Sequence, residues 1–280
     1  MNEKESLIAQ ILEQTQRVII DKEQQVKLSL AAYLSGSHIL LEDIPGVGKT
    51  TLAKSFAHVL GLSYSRVQFT SDLLPSDIIG VNFYNTKDAT FSFRRGPIFS
   101  QFLLADEISR ASSKTQSALL EAMEERQVSI DGVTHKLPEP FFVMATKNPQ
   151  EELGIYQLPE AQLDRFMLKL VVDYNRAEAE RKILANKERV VFENLLSLTQ
   201  TQRELLRKSY ESVFVDEPIL DLLQEIVAFT RESLLYKTGL SPRAALTLLK
   251  VSKAWALIEG RDFVTLTHQA NWIDLSMKMD

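Results

Sequence analysis

The chain carries Pro45-Gly46-Val47-Gly48-Lys49-Thr50-Thr51 directly after an apolar run, His38–Glu42, and at the start of a helix-forming stretch, Lys49–Leu60. A glycine-rich turn between a strand and a helix is the setting in which a phosphate-binding loop works. Glycines let backbone N–H groups approach an anion with no Cβ in the way. The helix N-terminus adds unsatisfied donors and a favourable dipole. In this reading Pro45, Gly46, Val47, Gly48, Lys49, Thr50 and Thr51 bind ATP. Lys49 reaches the β- and γ-phosphates, and the Thr50 hydroxyl ligates Mg²⁺. Asp43 stands where the pattern usually opens with glycine; Asp accepts strained turns better than most residues. The bland alternative is a glycine-rich turn that merely opens a helix.

A second motif weighs against that alternative. Phe102-Leu103-Leu104-Ala105 is a buried-strand pattern ending in two adjacent acids, Asp106 and Glu107. In a P-loop sheet this strand is expected beside the first, with its carboxyl end facing the phosphates. Asp106 is then a metal-holding residue, acting through water, and Glu107 orients and polarises the attacking water. The next strand pattern, Phe141–Thr146, runs into Lys147-Asn148-Pro149. Asn148 is expected between the two earlier strand ends, where an amide can both donate and accept.

Working outward, Leu7, Ile8, Ile11 and Leu12 recur at helical spacing, and a second periodic stretch covers Glu23–Leu34. Strand patterns at His38–Glu42, Arg66–Phe69, Phe102–Asp106, Phe141–Thr146 and Leu168–Val172 alternate with helices at Lys49–Leu60 and Ser113–Glu125. That rhythm predicts a parallel sheet covered on both faces, an α/β fold of the αβα sandwich type. Two segments interrupt it. Gly80–Phe93 turns around Asn85–Asp88, and Val128–His135 turns around Asp131-Gly132, a two-residue hairpin signal. After Val172 the pattern is helical throughout: Arg176–Lys187, Gln202–Glu211, Glu217–Glu232 and Pro242–Ile258. The expected division is 1–173, a nucleotide-binding αβα domain with N-terminal helices and hairpin inserts near 80–94 and 127–137, and 174–280, an all-helical domain.

Composition narrows the function classes. Of 280 residues, 45% are hydrophobic and 25% charged, an ordinary globular balance. The net charge of −5 lacks the basic footprint of a dedicated nucleic-acid binder. There is no cysteine, which excludes disulfides, thiolate metal sites and a Cys nucleophile and fits a cytoplasmic location. The four histidines, His38, His58, His135 and His268, are scattered. The N-terminus has no signal-peptide pattern, and no apolar run is long enough to span a bilayer, so no direct membrane insertion is expected.

Taken in order, these stretches resemble the MoxR family of AAA+ ATPases. The likeness covers roughly residues 15–260. It includes Gln68-Phe69-Thr70-Ser71-Asp72-Leu73-Leu74-Pro75-Ser76-Asp77, Gly96-Pro97-Ile98-Phe99, Lys114–Met123, Leu158-Pro159-Glu160-Ala161-Gln162-Leu163-Asp164-Arg165-Phe166 and Ser241-Pro242-Arg243-Ala244. The resemblance implies a P-loop AAA+ αβα sandwich followed by a small all-helical lid that closes over the nucleotide. It makes Asn148 the first sensor and Arg165 the arginine finger acting on a neighbour's ATP. It makes Arg243 the second sensor, acting on the subunit's own ATP. With Glu107, these form the catalytic set. It implies assembly into a ring, expected as a hexamer, and a chaperone-like role in remodelling or maturing client proteins with von Willebrand factor A-domain partners. Both hairpins are implied to face the ring's pore, with Phe83, Tyr84, Phe91 and Phe93 as exposed aromatics, although cross-strand packing is the plainer reading of those rings.

The chain departs from the family pattern at Asp43, at Ser109 (usually Asn), at Lys147 (usually Gln), at Asp21-Lys22 (often Gly-Gln), and in a shorter tail after Leu257. Two other readings stay open. One is a DNA-directed AAA+ motor, for which the hairpins offer only Lys87, Arg94, Arg95 and Lys136. The other is a nucleotide-gated scaffold with little turnover.

Overall fold

Strand β1 (Ile39–Asp43) shows how the chain builds its core. Successive side chains of a strand point to opposite faces. Ile39 and Leu41 join one apolar cluster, while Leu40 joins another. The same split recurs in β5 (Phe102–Asp106) and β8 (Phe142–Lys147). Phe102, Leu104, Phe142 and Met144 enter the first cluster; Leu103, Ala105, Val143 and Ala145 enter the second. Strands apolar on both faces need a layer of structure on each side.

The structure is a computed structural model, and it describes residues 3–43, 48–87, 89–148, 156, 158–172, 176–185, 192–233 and 239–265. With β2 (Tyr64–Gln68) and β9 (Leu168–Val172), the strands form one parallel sheet in the order β2-β5-β8-β1-β9. The expected strands are all present, with ends shifted by at most two residues. One expectation is corrected. β5 does not lie beside β1, because β8 is inserted between them.

The first face is covered by α1 (Glu3–Gln16), α2 (Glu23–Leu34) and α3 (Lys49–Val59). The second is covered by α4 (Pro75–Ile79) and α5 (Ser113–Glu125). Four ring side chains, Phe56, Phe102, Phe142 and Tyr33, meet at the centre of the first face in edge-on and tilted pairs. Such pairs add to the area they bury.

The helices α7 (Ala177–Ala185), α8 (Gln200–Glu211), α9 (Glu217–Glu232) and α10 (Pro242–Ile258) follow β9. Each of the last three starts at a polar cap: Thr199, Asp216 and Ser241 accept backbone N–H groups of the first turn. Their apolar stripes do not form a separate core. Leu206, Ile219, Leu223, Val251 and Leu257 lie in the same cluster as α1, α2 and α3, and α10 packs along α2. The helices α8, α9 and α10 pack onto the first helical layer, where α2 gives α10 its apolar seat. Residues 173–175, where the division was expected, and Lys187 lie outside the described residues.

Both hairpins form. The first pairs β3 (Gly80–Asn85) with β4 (Thr90–Arg95), and the second pairs β6 (Gln127–Ile130) with β7 (Val133–Lys136). The neck of the first is pinched: a Cβ on Gly96 would stand 2.2 Å from the Ile78 carbonyl oxygen, so the crossing requires glycine. The two hairpins are joined. Asn82 donates to Asp131 at 2.7 Å, and Phe93 stacks on His135 with ring centres 4.3 Å apart. Phe83, Tyr84 and Phe91 are exposed, but Phe93, expected to be exposed with them, is half-buried by this stacking.

Phe142→Ala should lower the free energy of unfolding by about 3–5 kcal/mol. Urea denaturation at neutral pH would read it as an earlier midpoint with an unchanged slope.

Candidate active site

In a parallel sheet the carboxyl ends of the strands share one edge, and ligands bind there. The register puts Gln68 of β2 next to Asp106 of β5, and β8 brings Thr146 to Asp106 from the other side. Asp106 is buried at the edge. Its Oδ1 accepts from the Thr146 hydroxyl at 2.7 Å and faces the Lys49 Nζ at 3.6 Å. Its Oδ2 accepts from Arg66 Nε at 3.1 Å and Nη2 at 2.6 Å. Burial pushes this carboxyl up. The Thr146 and Arg66 hydrogen bonds, with the charges of Lys49 and Arg66, outweigh that and hold it below the usual carboxylate range.

Glu107 follows at φ 58, a left-handed conformation unusual for a residue with a side chain. Its N–H donates to the Thr146 oxygen at 2.8 Å, which fixes the turn. Its carboxylate accepts from Gln68 Nε2 at 2.7 Å and pairs with Arg110 at 3.0 Å. Gln68 in turn accepts from Arg66 at 2.9 Å. Lys49, Asp106, Thr146, Glu107, Gln68 and Arg66 are therefore one connected polar network. Asn148, at the end of β8 and buried, stands on the same edge, between the ends of β1 and β5.

Lys49, Thr50 and Thr51 open α3, whose first turn presents backbone N–H groups and the positive end of the helix dipole. Gly48, just before it, sits at φ 90, a conformation that favours glycine. Pro45, Gly46 and Val47 lie outside the described residues. An ionised Asp106 carboxylate and a Thr50 hydroxyl are hard oxygen donors of the kind Mg²⁺ takes. Bound there, the ion would neutralise phosphate charge.

Arg165 and Arg243 stand elsewhere. Arg165 lies between α6 (Glu160–Leu163) and β9, at the end where strands begin: Met167 N–H donates to the His38 carbonyl at 2.8 Å, and Leu168 pairs with Ile39. Its guanidinium pairs with Glu124 in the last turn of α5 at 3.1 Å. Arg243, in the first turn of α10, pairs with the other oxygen of Glu124. The Ser241 hydroxyl donates to Asp164 at 3.0 Å and docks the start of α10 on the Arg165 loop. Arg243 was expected to reach its own subunit's ATP. It lies beside Arg165 at the opposite edge from Lys49 and Asp106, because α10 seats on α2 and turns its N-terminus toward Glu124.

The departures have physical accounts. Asp21 sits at φ 64, which explains why glycine is usual there, and it accepts the Arg176 N–H at 2.8 Å. Lys147 and Lys169 share Glu42, at 3.5 and 2.9 Å. Ser109 is buried, and its carbonyl accepts the Tyr156 N–H at 2.7 Å. Arg66, Gln68, Thr146 and Glu124 have no site role in the sequence reading, although Gln68 opens one of the stretches that carry the resemblance. Strand order and helix placement bring them to the acids and arginines. Among the described residues no group of His, Asp and Glu forms a metal cluster.

A parallel sheet with a phosphate-type helix start beside paired strand-end acids defines a P-loop ATPase fold of the AAA+ kind. Residues 38–168 match the model of the ATPase family associated with various cellular activities, and residues 228–268 match that of the AAA lid domain. The chain is 45% identical to the uncharacterized protein YeaC of Bacillus subtilis, over 92% of this chain and 81% of that protein. It is 41% identical to Chaperone MoxR1 of Mycobacterium tuberculosis, over 90% of this chain and 69% of that one. A solved structure from Cytophaga hutchinsonii, described as a candidate ATPase, superposes with a TM-score of 0.89 at 35% identity, covering 98% of this chain and 86% of that one. The protein belongs to the MoxR family of AAA+ ATPases.

Thr146→Val removes both the donor to Asp106 and the acceptor for the Glu107 amide. Each orphaned group should cost about 1–3 kcal/mol, measured by urea unfolding. His38, at the opposite edge, gives a second test. Its Nδ1 accepts the Val143 N–H at 3.0 Å, and burial, helped by the charge of Arg126, lowers its pKa from 6.5 to about 3. Between those values the unfolded chain binds more protons, so this group's stabilisation is complete above 6.5 and is lost as pH falls toward 3. In His38→Gln the pH slope of stability just below 6.5 should flatten, by up to about 1.4 kcal/mol per pH unit.

Proposed function

We propose that this protein is a ring-forming, Mg²⁺-dependent ATPase that converts ATP hydrolysis into remodelling or maturation of client proteins. One observation carries the reading. Lys49, Asp106 and Glu107 gather at one edge of the sheet, while Arg165 and Arg243 gather at the other. One subunit cannot bring both sets to a single ATP, so the site is completed by a neighbour. In this reading the N–H groups from Pro45 to Thr51 and the Lys49 side chain hold the phosphates, with Thr50 and Asp106 as metal ligands. Glu107 aligns the attacking water as it becomes the nucleophile, and Asn148 fixes that water from the adjacent strand. Arg165, with Arg243 from the same face rather than from within the neighbour's own chain, neutralises charge on the γ-phosphate.

The product of such a cycle is a rearranged protein. The name Chaperone MoxR1 of the mycobacterial relative favours this over the DNA motor. The joined hairpins add exposed aromatic side chains that a client chain could grip. A hexamer, von Willebrand factor A-domain partners and a cytoplasmic location belong to the same proposal, with 1–173 as the nucleotide-binding part and 174–280 as the helical part. Among the described residues no helix is long and apolar enough to cross a membrane.

Arg165→Ala should lower kcat by on the order of 10³-fold or more while leaving ATP binding intact. Lys49→Ala should bind no ATP. Mixing the two inactive proteins should restore part of the turnover, because each supplies what the other lacks; no recovery would mean that Arg165 does not act across an interface. For the client, tagged Glu107→Gln incubated with lysate and ATP should retain a von Willebrand A-domain protein or its substrate, and Lys49→Ala should not. Retention of nuclease-sensitive DNA would favour the motor reading instead.

A further inference from the structure

Glu124 is placed as no other acid in the described residues is. Its two carboxylate oxygens are divided between two arginines from different parts of the chain: Oε2 takes Arg165 Nη2 at 3.1 Å, and Oε1 takes Arg243 Nη2. Arg165 comes from the loop before β9, and Arg243 from the first turn of α10. Two guanidiniums this close repel each other unless a negative charge lies between them. The Arg165 Nε is buried and makes no hydrogen bond among the described residues, so Glu124 is the group that orients that guanidinium. The neighbouring Arg126 is spent on the backbone, donating to the carbonyls of Phe141 and Gly36. A guanidinium has five donors in one plane, so an arginine held by a carboxylate through one edge still presents the other edge to a phosphate.

We propose that Glu124 is the positioning residue that sets Arg165 and Arg243 as a two-pronged cation for the triphosphate of a neighbouring subunit. This deepens the proposed function and rests on the reading of Arg165 as acting across an interface. Glu124 touches no nucleotide; it works through the two arginines. It is not a stability device, since a partly exposed ion pair contributes little. Its position carries a consequence. The α5 helix starts a few residues after Asp106-Glu107 and carries Glu124 in its last turn, a rigid span of about 20 Å. A shift at the hydrolytic edge of one subunit is thereby delivered to the arginines that serve the next.

The experiment compares Glu124→Gln, Glu124→Asp, Arg165→Ala, Arg243→Ala and the Arg165→Ala/Arg243→Ala pair. It reads kcat, the affinity for a fluorescent ATP analogue, ring assembly by sedimentation and thermal melting. Glu124→Gln should lower kcat on the order of 10- to 100-fold, the cost of misplacing a transition-state group, with analogue affinity and melting unchanged. Glu124→Asp keeps the charge and should recover part of the loss. Placed on the double arginine variant, Glu124→Gln should cause no further loss, because nothing is left to position. Wild-type kcat in Glu124→Gln, with Arg165→Ala inactive, would overturn the proposal and leave the trans-acting arginine standing. A rise in kcat, or a further loss in the double arginine background, would also overturn it. Wild-type kcat in the arginine variants would remove the reading of those arginines, and this proposal with it.

Discussion

The Thr146 hydroxyl is the point on which the site depends. It donates to the buried Asp106 carboxylate and accepts from the Glu107 amide, across two neighbouring strands. The first bond, with the cations Lys49 and Arg66, keeps a buried carboxylate charged against its desolvation. The second holds Glu107 in a left-handed turn that its side chain alone would disfavour. Both require β8 to lie between β5 and β1, so a single strand insertion organises the chemistry at the edge.

The same sheet separates two sets of charged residues. Lys49, Asp106 and Glu107 gather where the strands end, and Arg165 and Arg243 gather where they begin. In the proposed function this separation makes hydrolysis depend on assembly, with a second copy bringing its arginines to the triphosphate. The helical segment takes part in this division. Because α10 shares its apolar stripe with α2, its first turn is anchored beside Arg165, and Ser241 and Glu124 pin it there. The hairpins are likewise tied to each other, through Phe93 on His135 and Asn82 on Asp131.

Much of this is legible in the amino-acid sequence. Strands apolar on both faces announce a covered parallel sheet, and the run ending in Asp106-Glu107 was located to the residue. The Asp131-Gly132 turn and the helices Glu217–Glu232 and Pro242–Ile258 were equally plain. These are local signals: alternation of period two, helical periodicity, and turn residues that tolerate positive φ. The strand limits moved by a residue or two because the last hydrogen bond of a strand depends on its neighbour.

What the sequence by itself determined was the sheet strands, the two hairpins and the longer helices, and the place of Lys49 and Thr50 at a helix start and of Asp106 and Glu107 at a strand end, because each is written within a few consecutive residues. What only the tertiary structure decided was adjacency: β8 rather than β1 beside β5, Arg66 and Gln68 beside the acids, Phe93 turned inward, and Arg243 with Arg165 on Glu124 instead of over its own P-loop. Those facts depend on which faces pack together across long separations in the chain. Apolar stripes specify that they must be buried, but not against which partner.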